Sequence, residues 1–307
     1  MRIPDELIKC VGFISPLVQE LNYVGTAFVV GVRMDATHGY AHLVTAKHVA
    51  AAIDPGETVI AMNAKDGAPL FLCSGEAKWF YHPTEPDSID VAVLPFGSPR
   101  FAEYDITWIP EDIFATETVI SELSLGLGDE IIIVGLFTKF FGSTRLTPLV
   151  RTGNLAMMPK DRVPVKDFGD IEAYLAEGRS IGGLSGSPVF VRNTVKMPVQ
   201  TSKGKVVHLS GLGPLRFLGL MHGHWDLPPS FSAVEQAEAV NMGVSIVVPA
   251  KKILEVLYHP ELVAMRKEHL EKEKQSFPTA DSSIKLFTKE GFETALKKAS
   301  RKKSGQT

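Results

Sequence analysis

The chain has 307 residues, of which 45% are hydrophobic and 22% are charged, and its formal net charge is -3 at pH 7. A chain of this size can bury a large core, and its slight negative charge gives it no general attraction to nucleic acid. We therefore expect a globular protein with no specific nucleic-acid partner.

Cysteine use and the first residues bear on the compartment. The two cysteines, Cys10 and Cys73, are far apart and lie outside any Cys-x-x-Cys spacing, which favours neither a disulfide framework nor a cysteine zinc site. Charged residues such as Asp5 and Lys9 interrupt the apolar N-terminal segment, unlike the continuous core of a secretion signal. No apolar run has the length of a membrane span. These features predict a cytoplasmic protein that does not contact membranes.

Short β-rich segments follow one another along most of the chain, with turn residues between them. They are residues 24–32, 40–46, 58–63, 69–73, 90–96, 130–137, 187–191, 216–223 and 244–249. This spacing, with 26 glycines and 20 prolines, is typical of an antiparallel all-β barrel or sandwich. Residues 97–128 carry prolines and acidic residues and few alternating apolar residues, and we interpret them as the connection between two β units.

The C-terminal part has a different pattern. Ile253, Leu254 and Leu257 recur at helical spacing, and Pro260 can begin a second helix. The last fifty residues are highly charged and end in KKASRKKSGQT, which predicts a solvated tail. A specific protein partner for this tail is an open alternative.

The segment GLSGSPVF at 183–190 places Ser185 between two glycines. Such a cluster is typical of an ordinary turn, so a catalytic role for this serine requires a histidine and a carboxylate elsewhere. His48 lies where an apolar β segment passes into an Ala-rich stretch. Asp90 lies at the start of an apolar strand, where a charge needs a donor. A serine hydroxyl needs a base to take its proton, and a carboxylate orients that base, which makes these three residues candidates for a catalytic triad.

In this order, GTAFVV, TAKHVA, DVAVL and GLSGSPVF resemble the landmark segments of the trypsin-like (chymotrypsin-fold) serine peptidases. The resemblance covers about residues 10–258. It implies an all-β fold of two six-stranded antiparallel β-barrels followed by a C-terminal helical extension. The implied domains are residues 1–110 with His48 and Asp90, residues 111–258 with Ser185, and the tail 259–307.

By the same resemblance, the chain is a serine endopeptidase that cleaves a polypeptide substrate through an acyl-enzyme. Ser185 is then the nucleophile, His48 the base and Asp90 its carboxylate partner. The backbone N–H groups of Gly183 and Ser185 form the oxyanion hole. No cofactor or metal is expected. Leu184 stands where secreted relatives have an aspartate that pairs with a newly cut N-terminus, which disfavours activation by cleavage.

Family position also suggests substrate-binding residues. The base of the pocket lies near Arg179 and its wall near His222, Gly223 and His224, which favours an acidic or amide side chain before the cut. An Arg179 that points to solvent is the alternative. His222 and His224 could face one side of a strand as zinc ligands do, but no third ligand is spaced nearby.

The sequence allows two other functions to be considered. A trypsin-like domain that only binds a peptide or protein usually lacks a triad residue, whereas all three types are present here. An α/β-hydrolase esterase would have a glycine at Ser187 and its histidine last in the chain, so this function is disfavoured.

Overall fold

The computed structural model describes residues 3–18, 22–35, 38–54, 56–75, 78–97, 101–178, 182–194, 197–200, 206–209, 213–226 and 241–276. Among these residues, no helix combines the length and the apolar character that crossing a membrane requires.

The first part of the chain forms one sheet. Its strands are β1 (Val11–Pro16), β2 (Gly25–Arg33), β3 (Gly39–Thr45), β4 (Thr58–Asn63), β5 (Pro69–Cys73), β6 (Ala92–Pro95) and β7 (Ile109–Pro110). They pair in the order β5-β4-β1-β2-β3-β6, and β7 pairs with β2. All these pairs are antiparallel except the last, which is parallel. Strand β2 is buried over all residues but Arg33, as expected for a central strand made of β-branched, aromatic and small residues.

The second part of the chain contains a closed barrel. The strands of this part are β8 (Glu130–Gly135), β9 (Leu149–Met157), β10 (Arg162–Val165), β11 (Gly169–Glu172), β12 (Tyr174–Glu177), β13 (Pro188–Arg192), β14 (Met197–Gln200), β15 (Val206–Leu209), β16 (Leu215–Asp226) and β17 (Asn241–Pro249). The barrel closes in the order β12-β17-β16-β13-β8-β9, while β10 with β11 and β14 with β15 form separate hairpins. Closure removes the free strand edges that invite aggregation.

In the described part of the chain, helices are few and mostly short. They are α1 (Asp5–Lys9), α2 (Lys47–Ala51), α3 (Glu117–Leu123), α4 (Ala250–Leu257) and α5 (Pro260–Ser276). Helix α4 follows β17 directly and buries Ile253, Val256 and Leu257, which accounts for the helical spacing in the sequence.

The largest core cluster joins the two parts of the chain. Phe217 of β16 lies 5.3 Å from Phe28 of β2, 4.6 Å from Phe114 and 5.8 Å from Phe190, measured between ring centroids. All four rings are fully buried. Burying such a side chain stabilises a fold by about 2 to 3 kcal/mol, so this aromatic cluster holds the sheet against the barrel.

The all-β prediction, with two β units and C-terminal helices, is confirmed. The second unit has the six-stranded closed barrel. In the first unit, the hydrogen-bonded path runs from β5 to β6 and does not close within the described residues. The predicted connection 97–128 contains β7 and α3. The domain limits 1–110, 111–258 and 259–307 stay a prediction.

Helix α5 begins at Pro260, as the sequence predicted, and packs on the first sheet. The buried Arg266 donates to Nε2 of His42 on β3 at 3.1 Å and to the Leu257 carbonyl at 2.7 Å. Burial, followed by the positive charge of Arg266, lowers the pKa of His42 to about 3. His42 is therefore a neutral core residue. Residues 277–307 of the predicted tail lie outside the described residues.

Candidate active site

His48 lies on helix α2, directly after the buried strand β3. Ala46 is extended and α2 begins at Lys47, so the chain turns sharply and presents the ring at the end of the strand. The His48 backbone N–H donates to Oδ1 of Asp90 at 2.9 Å, and its ring Nδ1 lies 2.8 Å from Oδ2 of the same carboxylate. The side chain is 38% exposed, which leaves the other edge of the ring accessible.

Asp90 is fully buried two residues before β6, between the buried residues Ile89 and Val91. Burial alone raises the pKa of Asp90. Hydrogen bonds and charges from His222 and His48 outweigh that effect and hold the pKa well below its usual range. Asp90 is therefore an ionised acceptor at neutral pH, and its two oxygens fix both the backbone and the ring of His48.

Ser185 lies in a tight turn that precedes β13. Gly183 and Gly186 have φ values of 96° and 83°, a region that side chains rarely adopt, and the Ser187 N–H donates to the Leu184 carbonyl at 3.0 Å. A Cβ on Gly186 would lie 2.1 Å from the Thr26 carbonyl oxygen, so a glycine is required there. The sequence explains this turn: only glycines on both sides of Ser185 allow its backbone.

The turn packs against the first sheet beside His48. The Thr26 N–H of β2 donates to the Ser185 carbonyl at 3.0 Å. A Cβ on Gly25 would contact both the Ser185 carbonyl oxygen and the side chain of Val49, the residue after His48. The Ser185 turn and helix α2 therefore flank the same glycine, although Ser185 Oγ and the His48 ring form no hydrogen bond in the described part of the chain.

Thr26 bridges the two β units. Its hydroxyl donates to the Gly183 carbonyl at 2.8 Å and accepts from the Leu136 N–H at 2.9 Å. Its own carbonyl accepts from the hydroxyl of Thr45 at 2.7 Å. These bonds fix the peptide that follows Gly183.

The two N–H groups proposed for the oxyanion hole are those of Gly183 and Ser185. Neither donates to an acceptor within the described residues. An oxyanion hole requires two such amides that point to the same place.

The predicted substrate-binding residues have different outcomes. Arg179 lies outside the described residues. Gly223 and His224 lie on β16, and a Cβ on Gly223 would meet nothing within 4 Å, so the strand is open at this position. Their role in substrate binding stays a prediction.

His222 has a contact that the sequence did not predict. Its Nδ1 lies 2.5 Å from Oδ2 of Asp90, and its ring packs edge-on against His48 at 5.3 Å and Phe168 at 5.2 Å. The side chain is only 13% exposed. The only signal in the sequence is a histidine on the strand that pairs with the segment after Ser185.

His48, Asp90 and His222 are also of the types that bind metals, and their candidate ligand atoms lie within 4.8 Å of one another. Zinc bonds of about 2.0 to 2.1 Å in a tetrahedral site would hold neighbouring ligand atoms about 3.3 Å apart. The carboxylate oxygen instead lies 2.5 and 2.8 Å from the two ring nitrogens, which is hydrogen-bond spacing. Hydrogen bonding accounts for this cluster. His224 of the alternative zinc pair does not belong to it.

No protein-family model and no curated protein matches the chain. Among solved structures, the chain is similar to the MamO protease domain from Magnetospirillum magneticum, with 14% identity and a TM-score of 0.49, over 81% of this chain and 96% of that one. It is similar to Deg5, with 16% identity and a TM-score of 0.44, over 81% and 88% of the two chains. It is also similar to the HtrA-type protease AlgW, with 15% identity and a TM-score of 0.45, over 83% and 65%. The strand pairing of the chain itself, an antiparallel sheet followed by a closed six-stranded barrel and a helix, is that of the trypsin-like serine peptidase fold.

Proposed function

We propose that the chain is a serine endopeptidase that hydrolyses polypeptides with Ser185, His48 and Asp90. The observation that carries this proposal is the pair of hydrogen bonds by which the buried carboxylate of Asp90 holds the backbone and the ring of His48. With Nδ1–H donated to Asp90, the neutral ring has its lone pair on Nε2. That tautomer is the one a general base needs.

In the proposed reaction, Ser185 Oγ attacks the carbonyl carbon of the scissile peptide while its proton passes to His48 Nε2. The resulting oxyanion accepts from the N–H groups of Gly183 and Ser185. When the C–N bond breaks, His48 returns the proton to the leaving amine and an ester remains on Ser185. Water then attacks the ester with His48 again as base, which releases the new carboxylic acid and restores the serine.

Asp90 acts through His48. Its negative charge stabilises the imidazolium that forms in each step, and its two hydrogen bonds prevent the ring from turning. Each well-placed oxyanion donor typically contributes two to three orders of magnitude to kcat. The Thr26 hydroxyl holds the carbonyl of Gly183, in the peptide that lies between the two proposed donors.

Labelling with a fluorophosphonate probe tests the proposal, because the probe forms a covalent bond only with an activated serine. The parent chain should be labelled, and Ser185→Ala and His48→Ala should abolish labelling. Ser187→Ala is the matched control: this serine lies in the same turn, but its hydroxyl is fully buried, so labelling should persist.

Labelling that survives Ser185→Ala would refute the proposal. A correctly folded parent that binds peptides but is never labelled would instead favour the alternative function, a trypsin-like domain that only binds a peptide or protein.

A further inference from the structure

His222 joins three parts of the proposed active site. Its ring reaches Asp90 in the first unit, while its backbone belongs to β16 of the barrel. The residue before it, Met221, accepts from the Gly186 N–H at 2.8 Å and donates to the Ser187 carbonyl at 2.8 Å. The strand position next to His222 is thus bonded to the two residues that directly follow Ser185.

The structure assigns His222 as a positioning residue, which holds the His48–Asp90 pair of one β unit in place relative to the Ser185 turn of the other. This assignment rests on the proposed function and adds a fourth side chain to it. It also gives His222 a different task from the pocket-wall role predicted from the sequence.

The hydrogen-bond chemistry supports this role. A carboxylate oxygen can accept two N–H donors, and Oδ2 of Asp90 receives one ring from each unit, His48 at 2.8 Å and His222 at 2.5 Å. Both contacts require Nδ1–H on the respective ring. Because Asp90 is fully buried, its charge makes the loss of either donor costly.

Packing fixes the His222 ring as well. Phe168, in the turn between β10 and β11, contacts it edge-on with an interplanar angle of 84°, and His48 contacts it at 71°. The groups that face His222 among the described contacts are therefore one carboxylate, one imidazole and one apolar ring. A side chain so enclosed can set a distance between two units, whereas a solvent-exposed histidine cannot.

His222→Asn and His222→Gln form a matched pair for a test. The amide nitrogen of asparagine can occupy the place of Nδ1, whereas the amide of glutamine extends further and matches Nε2. Loss of a residue that orients a functional side chain typically costs 10- to 100-fold. We expect His222→Ala and His222→Gln to lower kcat by about that factor with KM nearly unchanged, and His222→Asn to recover most of the loss.

A control variant tests whether the loss of any histidine that contacts a carboxylate lowers activity. His38→Asn is this control, since His38 makes a similar 2.8 Å contact with Asp35 outside the site, and it should leave kcat unchanged.

A raised KM with unchanged kcat would overturn the assignment and return His222 to the pocket wall. Equal activity of His222→Asn and His222→Gln would overturn it as well.

A measurement without turnover separates this inference from the proposed function. In Ser185→Ala labelled with ¹⁵N-histidine, two ring N–H signals should both shift when Asp90→Asn is added, and His222→Asn should remove one of them. A single Asp90-dependent signal would refute the positioning role, even if the parent chain were an active peptidase.

Discussion

The Thr26 hydroxyl offers the sharpest test of how the two units are joined. Thr26→Val keeps the shape of the side chain but removes the donor to Gly183 and the acceptor for Leu136. An unsatisfied buried group costs about 1 to 3 kcal/mol. Because the Gly183 bond is only partly buried and the Leu136 bond is fully buried, we expect losses of about 1 and 2 kcal/mol, or about 3 kcal/mol together.

At about 2 °C per kcal/mol for a chain of this size, Tm should fall by about 6 °C. Release of the Gly183 carbonyl frees the neighbouring peptide to rotate, so kcat should also fall, by at least tenfold, towards the 10²- to 10³-fold loss of a whole oxyanion donor. Thr26→Ser is the matched control, because it keeps the hydroxyl and loses one methyl group, at a cost of about 1 kcal/mol. Urea unfolding and steady-state kinetics measure both effects. Equal stability of the Val and Ser variants would refute the reasoning.

Three further predictions concern stability. Gly186→Ala places a Cβ 2.1 Å from a carbonyl oxygen of β2 and should lower the free energy of unfolding, measured in urea, by more than about 3 kcal/mol. Gly67→Ala is also at positive φ but meets nothing within 4 Å, so it should cost only about 1 kcal/mol. Similar costs for the two variants would contradict the packing argument. His42 has a pKa of about 3 in the folded protein and about 6.5 in the unfolded chain, so its stabilising contribution is present above pH 6.5 and is lost as the pH falls towards 3. The free energy of unfolding should therefore drop by about 2 kcal/mol from pH 7 to 5. A His42→Gln variant that shows the same drop would refute this origin. Arg266→Met should lower the free energy of unfolding by about 2 kcal/mol through its two lost hydrogen bonds. Lys267→Met, on the exposed side of α5, should change it by no more than about 0.5 kcal/mol. Equal thermal stability of the two variants would argue against docking of the helix.

The sequence predicted those features that depend on local pattern. β-branched and aromatic runs predicted β2, β3 and β8, and the junction at His48 was expected from the change of an apolar run into an Ala-rich stretch. The burial of Asp90 followed from its place beside an apolar strand. The sequence did not predict strands β1, β7, β9 to β12, β14 and β15. In β9 and β11 the alternation is weak and the residues are largely polar or exposed.

Contacts between distant segments could not be predicted in this way. The sequence placed His222 on a strand but could not tell which side of β16 faces Asp90, because a shift of one residue reverses every side chain of a strand. Register shifts between β16 and β17 around Met221 and Gly223 add to that uncertainty. Arg266 had the pattern of a solvated helix, and only the docking of α5 on β3 makes it a buried donor to His42.

The bond between Arg266 and His42 spans 224 positions of the chain and joins helix α5 to the first sheet. While the protein is being made, helix α5 must therefore leave the ribosome before it can cover this histidine. Closing so long a loop is slow, because the chain loses conformational entropy before the contact can stabilise it. Nascent chains halted before that helix emerges should thus expose β3 to proteases and chaperones, even when the barrel has already formed.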